Sequence, residues 1–394
     1  MKRFFILAAA LTFGLSMSAQ TFVKDHANVD SYRPAYNPGS YRHEIVLPQV
    51  NGYTIYKADL HTHSIYSDGD ATPEWRVKEA WYDGLDVLAI TEHVEYRRHE
   101  GNMIAFLKGY VPEGTKAINT NLIGKAGTEA GIQSDLNFPV TLAEKTAAGF
   151  GIVIIRGAEI TRTPETVGHF NALFTTDNNK IYDVDPIKSV QNAKAQGALI
   201  MHNHPGWRRK SLDMTEPEKK LYEMGLIDGI EVNNGSEFYP MSADRAREHK
   251  LFVAACTDVH DVTSTGYAMN GYHRNMTWIF AKDNSQESLK EALESGRTLS
   301  YGFGGICGDE QLLKDFAKAA FSTRVISENA KGVKTYALTN NTSVPFLVNF
   351  GGNNVWMEPF STFKGSVAKD KPVTFTVLNM FYGVEKHPVV EINL

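Results

Sequence analysis

His61 and His63 follow an apolar, strand-like run at alternate positions, so both imidazoles face one way and Thr62 faces the other. Donor residues directly after apolar runs recur along the chain at His93, Glu159, His204, Asp258 and His260. Asp68, in Ser67-Asp68-Gly69, sits on the loop after the first run, and His169 lies within or near the start of a further strand. One histidine after a strand is ordinarily a hydrogen-bonded structural residue. Nine imidazoles and carboxylates gathered on one rim would be costly to bury without partners, and divalent cations satisfy them together. Imidazole and carboxylate donors suit Zn, Mn or Fe rather than Ca. The chain's 2 cysteines cannot form a thiolate zinc site or a disulfide framework. Cys256, in an apolar run, reads as a small buried hydrophobe rather than as a partner for Cys307.

These residues need a scaffold that brings strand ends together. Strand patterns at Tyr53–Leu60, Asp86–Ile90, Ile152–Ile155, Val167–Phe174, Ala198–Met201, Gly229–Val232, Leu251–Ala255 and Met276–Phe280 alternate with helical ones. Thr72, Pro73 and Gly84 are start and stop signals of the first helix. Seven or eight βα-type units predict an α/β fold, a TIM-like barrel over residues 51–308, whose C-terminal rim collects the donors. Residues 95–140 read as a long irregular insertion able to act as a lid. From 315 to 394 the pattern turns β-rich, which predicts a small β-sandwich-like domain with Trp356, Phe360 and Phe381 in its core.

Residues 1–20 read as a cleavable signal peptide: Lys2 and Arg3, an apolar run, then small residues near Ala19. The expectation is export, to the periplasm in a Gram-negative host, followed by an N-terminal extension over 21–50. No later segment is apolar enough to span a bilayer. Lys+Arg 40 against Asp+Glu 45 gives a net charge of −5, which argues against a nucleic-acid-binding surface.

The motifs Asp59-Leu60-His61-Thr62-His63-Ser64, Ser67-Asp68-Gly69, Ile90-Thr91-Glu92-His93, Gly157-Ala158-Glu159, His204-Pro205 and Asp258-Val259-His260 closely resemble the PHP (polymerase and histidinol phosphatase) phosphoesterase family. The resemblance covers residues 53–302, and the chain also looks like exported members that carry a C-terminal β domain. It implies a distorted (β/α)7 TIM-like barrel with a trinuclear centre: one ion held by His61, His63, Glu159 and Asp258, a second by Glu159 with His169 and His204, a third by Asp68, His93 and His260. The family's second motif usually reads Thr-Asp-His, so Glu92 is a departure, expected to alter a supporting contact. His202 is the alternative ligand at the fifth motif, or an aid to substrate protonation.

The implied reaction is hydrolysis of a small phosphate ester by in-line attack of a metal-bridging hydroxide, without a protein nucleophile. Asp59 either orients an imidazole or caps buried backbone. Trp207, Arg208 and Arg209 follow His204 and are candidates to clamp phosphate, with Arg162 and the His273-Arg274 pair behind them. Tyr66, Trp207 and Tyr239 are candidate stacking groups for an organic moiety. The rivals are an amidohydrolase-type metal hydrolase and a non-catalytic binding protein. No carboxylated-lysine counterpart supports the first, and no missing ligand supports the second.

Overall fold

A computed structural model describes residues 22–34, 41–97 and 135–394. The expected signal peptide and most of the 95–140 insertion lie outside the described residues. Residues up to Arg42 form one compact unit, in which β1 (Phe22–Lys24) pairs antiparallel with β2 (Tyr32–Pro34).

The second unit, His43–Leu394, is built on a twelve-stranded sheet. Its first strands alternate with helices: β3 (Thr54–Asp59), α1 (Pro73–Tyr82), β4 (Val87–Ile90), α2 (Phe138–Ala147) and β5 (Val153–Thr161). Then come β6 (His169–Leu173), α3 (Pro186–Lys194), β7 (Leu199–His202), α4 (Glu216–Glu223), β8 (Gly229–Asn234), β9 (Glu237–Phe238), α5 (Met241–His249) and β10 (Phe252–Cys256). A single turn, α6 (Thr263–Gly266), precedes β11 (Met276–Ala281), α7 (Gln286–Glu294), β12 (Thr298–Gly302) and β13 (Gly305–Gly308). Local chemistry sets the boundaries. Thr72 caps α1 by accepting the Trp75 N–H, and Thr215 with Glu218 forms a capping box on α4.

The sheet is mixed. β3, β4 and β5 are parallel neighbours, as are β7, β8 and β10, but β6 is antiparallel to both of its neighbours, and so are β11 and β12. The turn between β5 and β6 is too short for a crossover helix, so the chain reverses as a hairpin.

The sheet curls until β10 lies beside β11 and β12, and two threonines join them. The Thr277 hydroxyl accepts the Ala255 N–H and donates to the Ala255 carbonyl, both at 3.1 Å. Thr298 does the same for Val253, at 3.0 and 2.8 Å. Each hydroxyl replaces a rung of a backbone ladder inside a dry core. Replacing either by Val strands a buried N–H and C=O, at an expected cost of about 1–3 kcal/mol each, readable in urea denaturation.

Alternation sorts the apolar residues. Ala58, Val87, Ile155, Leu199, Ala254 and Ile279 fill the interior of the curl. Leu88, Ile154, Trp278 and Phe280 face the other way, in one cluster with residues of α1 and α2. Trp278 also meets Phe316 of α8 (Glu310–Ala320), at a ring separation of 5.0 Å, and Phe316 meets Phe346 at 6.3 Å, so one core continues into the C-terminal sheets. α8 was not expected from sequence, although Asp309 caps it and Leu313, Phe316, Ala317 and Ala320 mark its buried face.

The C-terminal region adds a three-stranded sheet, β14 (Phe321–Glu328), β15 (Lys334–Asn340) and β18 (Thr362–Val367). A four-stranded sheet follows, formed by β17 (Asn353–Met357), β16 (Phe346–Phe350), β19 (Val373–Val377) and β21 (Val389–Ile392). The two meet through stacked Phe350 and Phe363, 4.7 Å apart. The short β20 (Met380–Phe381) joins the large sheet through β13. Trp356 and Phe360 correct the sequence reading, being 50% and 58% exposed. On edge strand β17 the neighbouring Met357 takes the core side, which turns Trp356 outward. Phe381 is half-buried against Phe238.

Candidate metal centre

The chain leaving β3 is pinned before it reaches the first histidine. Asp59, fully buried, accepts the His61 and Thr257 N–H groups at 3.2 Å and the Thr257 hydroxyl and Arg274 guanidinium at 2.5 Å. It caps backbone, the second of its two expected roles. Arg274 thereby serves the fold and is no substrate contact. Thr62 turns away to donate to the Ala89 carbonyl at 2.7 Å, which leaves His61 and His63 facing the cavity with their Nε2 atoms 3.0 Å apart.

The following loop is tied by Glu92, which accepts the Ser64 N–H at 3.1 Å together with the Ser64 and Ser67 hydroxyls. The departure from the usual Asp is therefore a longer arm that folds this loop. Gly69 permits it, since a Cβ there would lie 2.8 Å from the His63 carbonyl. Arg76 of α1, buried, donates to the carbonyls of His63 and His260 and joins the two loops. Asp68 then stands 3.3 Å from His93 and 3.2 Å from His260.

Glu159 is the hub. Fully buried on β5, its carboxylate lies 2.5 Å from His93, 3.1 Å from His169, 3.5 Å from His61, 3.6 Å from His204 and 3.8 Å from His63. His169 reaches it because β6 is antiparallel, which puts the start of that strand on the same rim as the ends of its parallel neighbours. Asp258 completes the set, with Oδ1 3.2 Å from His61 and 3.1 Å from His63. His204 and Asp258 hold positive φ angles of 24° and 51°, a conformation disfavoured outside glycine that turns each side chain inward.

Eight of the nine predicted donors fall into close groups. Donor atoms within 4.8 Å of one another form three overlapping groups: His63, Asp68, His93 and His260; His61, Glu159 and His204; His61, His63 and Asp258. The third cluster thus gains His63 relative to expectation, and Glu159 groups with His61 and His204, while His169 stands outside the groups at 3.1 Å from Glu159. Ligand bonds of about 2.0–2.2 Å put donors around one ion at most about 4.4 Å apart, and the contacts of Glu159, Asp258 and Asp68 with their imidazoles, 2.5 to 3.8 Å, fall within that limit.

Two observations test whether cations fit. His169 Nε2 is buried without a hydrogen-bond partner. His61 Nδ1 is engaged by Glu231 at 2.9 Å, and if it carries the proton, Nε2 turns a lone pair toward that of His63. Both leave a place for a positive charge. Burial and the neighbouring His93 and His260 push the His63 pKa down to about 3. Burial opposes charge on His61 and His93 as well, yet the carboxylates around them raise both well above the ordinary value. Glu159 and Asp258 are held well below the carboxylate range, since their imidazoles outweigh burial.

Glu231 was missed in the sequence. Fully buried on β8, it also accepts the His204 N–H at 2.6 Å and Asn234 at 2.9 Å. Its signal was a lone acid inside the apolar run Gly229–Val232.

The cluster opens into a cavity of about 430 Å³ that Tyr96, Trp207 and Arg208 also line. Arg208 stacks over the Trp207 ring at 4.4 Å. Three other candidates are corrected. The Arg209 fork is taken up by Glu218 and the Pro164 carbonyl. Arg162 is bound to Glu95, the Asp183 carbonyl and Ser189. His202 points away from the cavity, to Tyr222 at 3.0 Å and Glu218 at 2.8 Å, because strand alternation sends it to the helix side. Tyr66 is core, packed on Phe138.

This buried trio carries a pH dependence. Burial alone would raise the Glu218 pKa, but His202 and Arg209 lower it to about 2. The unfolded carboxylate binds protons near its ordinary value, while the folded one resists until about pH 2. Stability present above pH 5 is therefore lost as pH falls, by roughly 3 kcal/mol in total. Acid denaturation of Glu218→Gln should show a correspondingly shallower loss between pH 5 and 2.

The PHP domain family model matches residues 59–251. Among solved structures, a two-domain Bacteroides vulgatus protein containing a predicted PHP-like metal-dependent phosphoesterase is 30% identical, with a TM-score of 0.78 over 90% of this chain and 99% of that one. An amidohydrolase from Chromobacterium violaceum shares 16% identity over 52% of this chain and 87% of its own, at a TM-score of 0.32. The lesion-specific endonuclease Q of Pyrococcus furiosus shares 15% over 65% and 59%, at 0.38. No curated protein matches significantly. No helix among the described residues is long and apolar enough to cross a membrane.

Proposed function

Because this chain belongs to the PHP domain family, we propose that it is a metal-dependent phosphoesterase hydrolysing a P–O bond of a small phosphate ester. The observation that carries this reading is Glu159, shared among five imidazoles beside the bare Nε2 of His169. Three divalent ions, Zn, Mn or Fe, would be held by His61, His63 and Asp258, by Glu159, His169 and His204, and by Asp68, His93 and His260. When bound, such ions bring the pKa of coordinated water towards about 7 and neutralise phosphoryl oxygens.

The chain's own groups do the rest. Glu231 keeps His61 in one orientation, and Thr161 does so for His93 at 2.6 Å. Arg208, free of ion pairs among the described residues and stacked on Trp207, offers its guanidinium to the ester's outer oxygens. No side chain is needed as nucleophile. We further propose export of the chain after cleavage near residue 20, which the mass of the mature protein would test.

The decisive experiment pairs metal analysis with bis-p-nitrophenyl phosphate and p-nitrophenyl phosphate as substrates. Bound transition metal is expected, with hydrolysis that a chelator abolishes and metal restores. Turnover that survives complete removal of metal would end the reading, and the two rates together identify the diester or monoester class.

A further inference from the structure

A second cavity, of about 350 Å³, adjoins the cluster, and Arg208 is not among its lining residues. It shares Asp258 and His260 with the metal-lined cavity; the rest of its lining includes Tyr267 and Phe303, two valines, three threonines, Asp261 and the Gly235–Ser236 turn. Its volume lies in the range of small-ligand cavities, about 300–1,000 Å³. None of its lining residues is Lys or Arg, and Asp258 and Asp261 give it negative character. A second anionic group is unwelcome there; a neutral one is not.

One part of the wall is aromatic, formed by Tyr267 and Phe303. The Phe303 ring lies 5.3 Å from Tyr267 and 5.1 Å from Tyr272. Phe303 is 37% exposed, Tyr272 47% and Met269, just beyond, 77%, which makes an unusual apolar rim beside a polar centre. Phe303 also occupies an unfavourable place. β12 and β13 pair at Gly302 and Gly305, which leaves Phe303-Gly304 as a two-residue turn with φ of 49° and 81°. That turn favours Asn or Gly at its first position, where a bulky side chain is strained. The ring is therefore held out at the cavity mouth against local preference.

Resting on the phosphoesterase reading, we infer that this cavity is the leaving-group subsite and takes a flat, neutral aromatic moiety joined to the phosphoryl group. A ligand whose phosphoryl oxygens sit at the cluster has Arg208 in the metal-lined cavity and the Tyr267–Phe303 wall in the adjoining one. Charge is sorted to the first cavity and an aromatic ring to the second.

The test uses phenylphosphonate and methylphosphonate, of equal charge, titrated calorimetrically into the metal-loaded full chain. Phenylphosphonate should bind at least about tenfold tighter to the wild type. Phe303→Gly, which suits the turn's positive φ and should not lower the melting temperature, should shrink that ratio to within about threefold. Phe303→Asn, also compatible with the turn, should do the same. Equal affinities in the wild type, no binding of either phosphonate, or a ratio unchanged in both variants would overturn the subsite. Failure of the underlying reading looks different: the phosphonate preference would stand while no phosphate ester is turned over.

Discussion

Glu159→Gln is expected to strip the centre of its cations and to lower ester hydrolysis by about 10³-fold or more, some 4 kcal/mol of transition-state stabilisation. The substitution nearly conserves shape, so the Asn203 contact at 2.9 Å and the strand around it should persist. What disappears is a negative charge that burial would disfavour and that survives only through the imidazoles around it. Those imidazoles would then face one another without a counter-charge, and a neutral amide is a poor ligand for a transition ion. Metal content per chain and kcat on bis-p-nitrophenyl phosphate are the readouts, with circular dichroism to establish that the variant is folded. Near-normal metal content would show that Glu159 braces the histidines without ligating anything.

The donors were legible because a barrel-like sheet turns position after a strand into position in space. His61, His93, Glu159 and Asp258 needed only that rule. His169 did not obey it, standing at the start of its strand, and only the reversal of β6 explains why it arrives. Side-chain commitment was the harder problem. Arg162, Arg208 and Arg209 look alike in sequence, yet two are consumed by Glu95 and Glu218, the first 67 residues away and the second 9, and one is not. The role of Glu231 and the threonine closure could not be read for the same reason. Their partners come from strands that meet only when the sheet curls. Trp356 shows the limit of residue type as a guide, since an edge strand offers a core side and a solvent side and hydrophobicity alone does not choose between them.

Arg274→Met should be the most destabilising single change outside the metal ligands, at about 3–5 kcal/mol. Arg274 is almost fully buried, and it joins Asp59 at 2.5 Å to Asp83 at 3.2 Å. Burial disfavours its charge, but Asp59, Asp83 and Glu79 more than compensate and raise its pKa. Methionine fills much of the volume and removes the charge, leaving Asp59 buried with only neutral donors. Asp59 also holds the N–H groups of His61 and Thr257, one at each of the strand exits that carry His61 and Asp258. The loss should therefore reach the centre: weaker metal affinity alongside a lower urea midpoint, with both restored in part by Asp59→Asn in the same chain, which removes the stranded charge. A loss of stability that the second substitution deepens would instead mean that Asp59 stabilises the strand exits chiefly as an anion acting on backbone, with Arg274 a secondary partner.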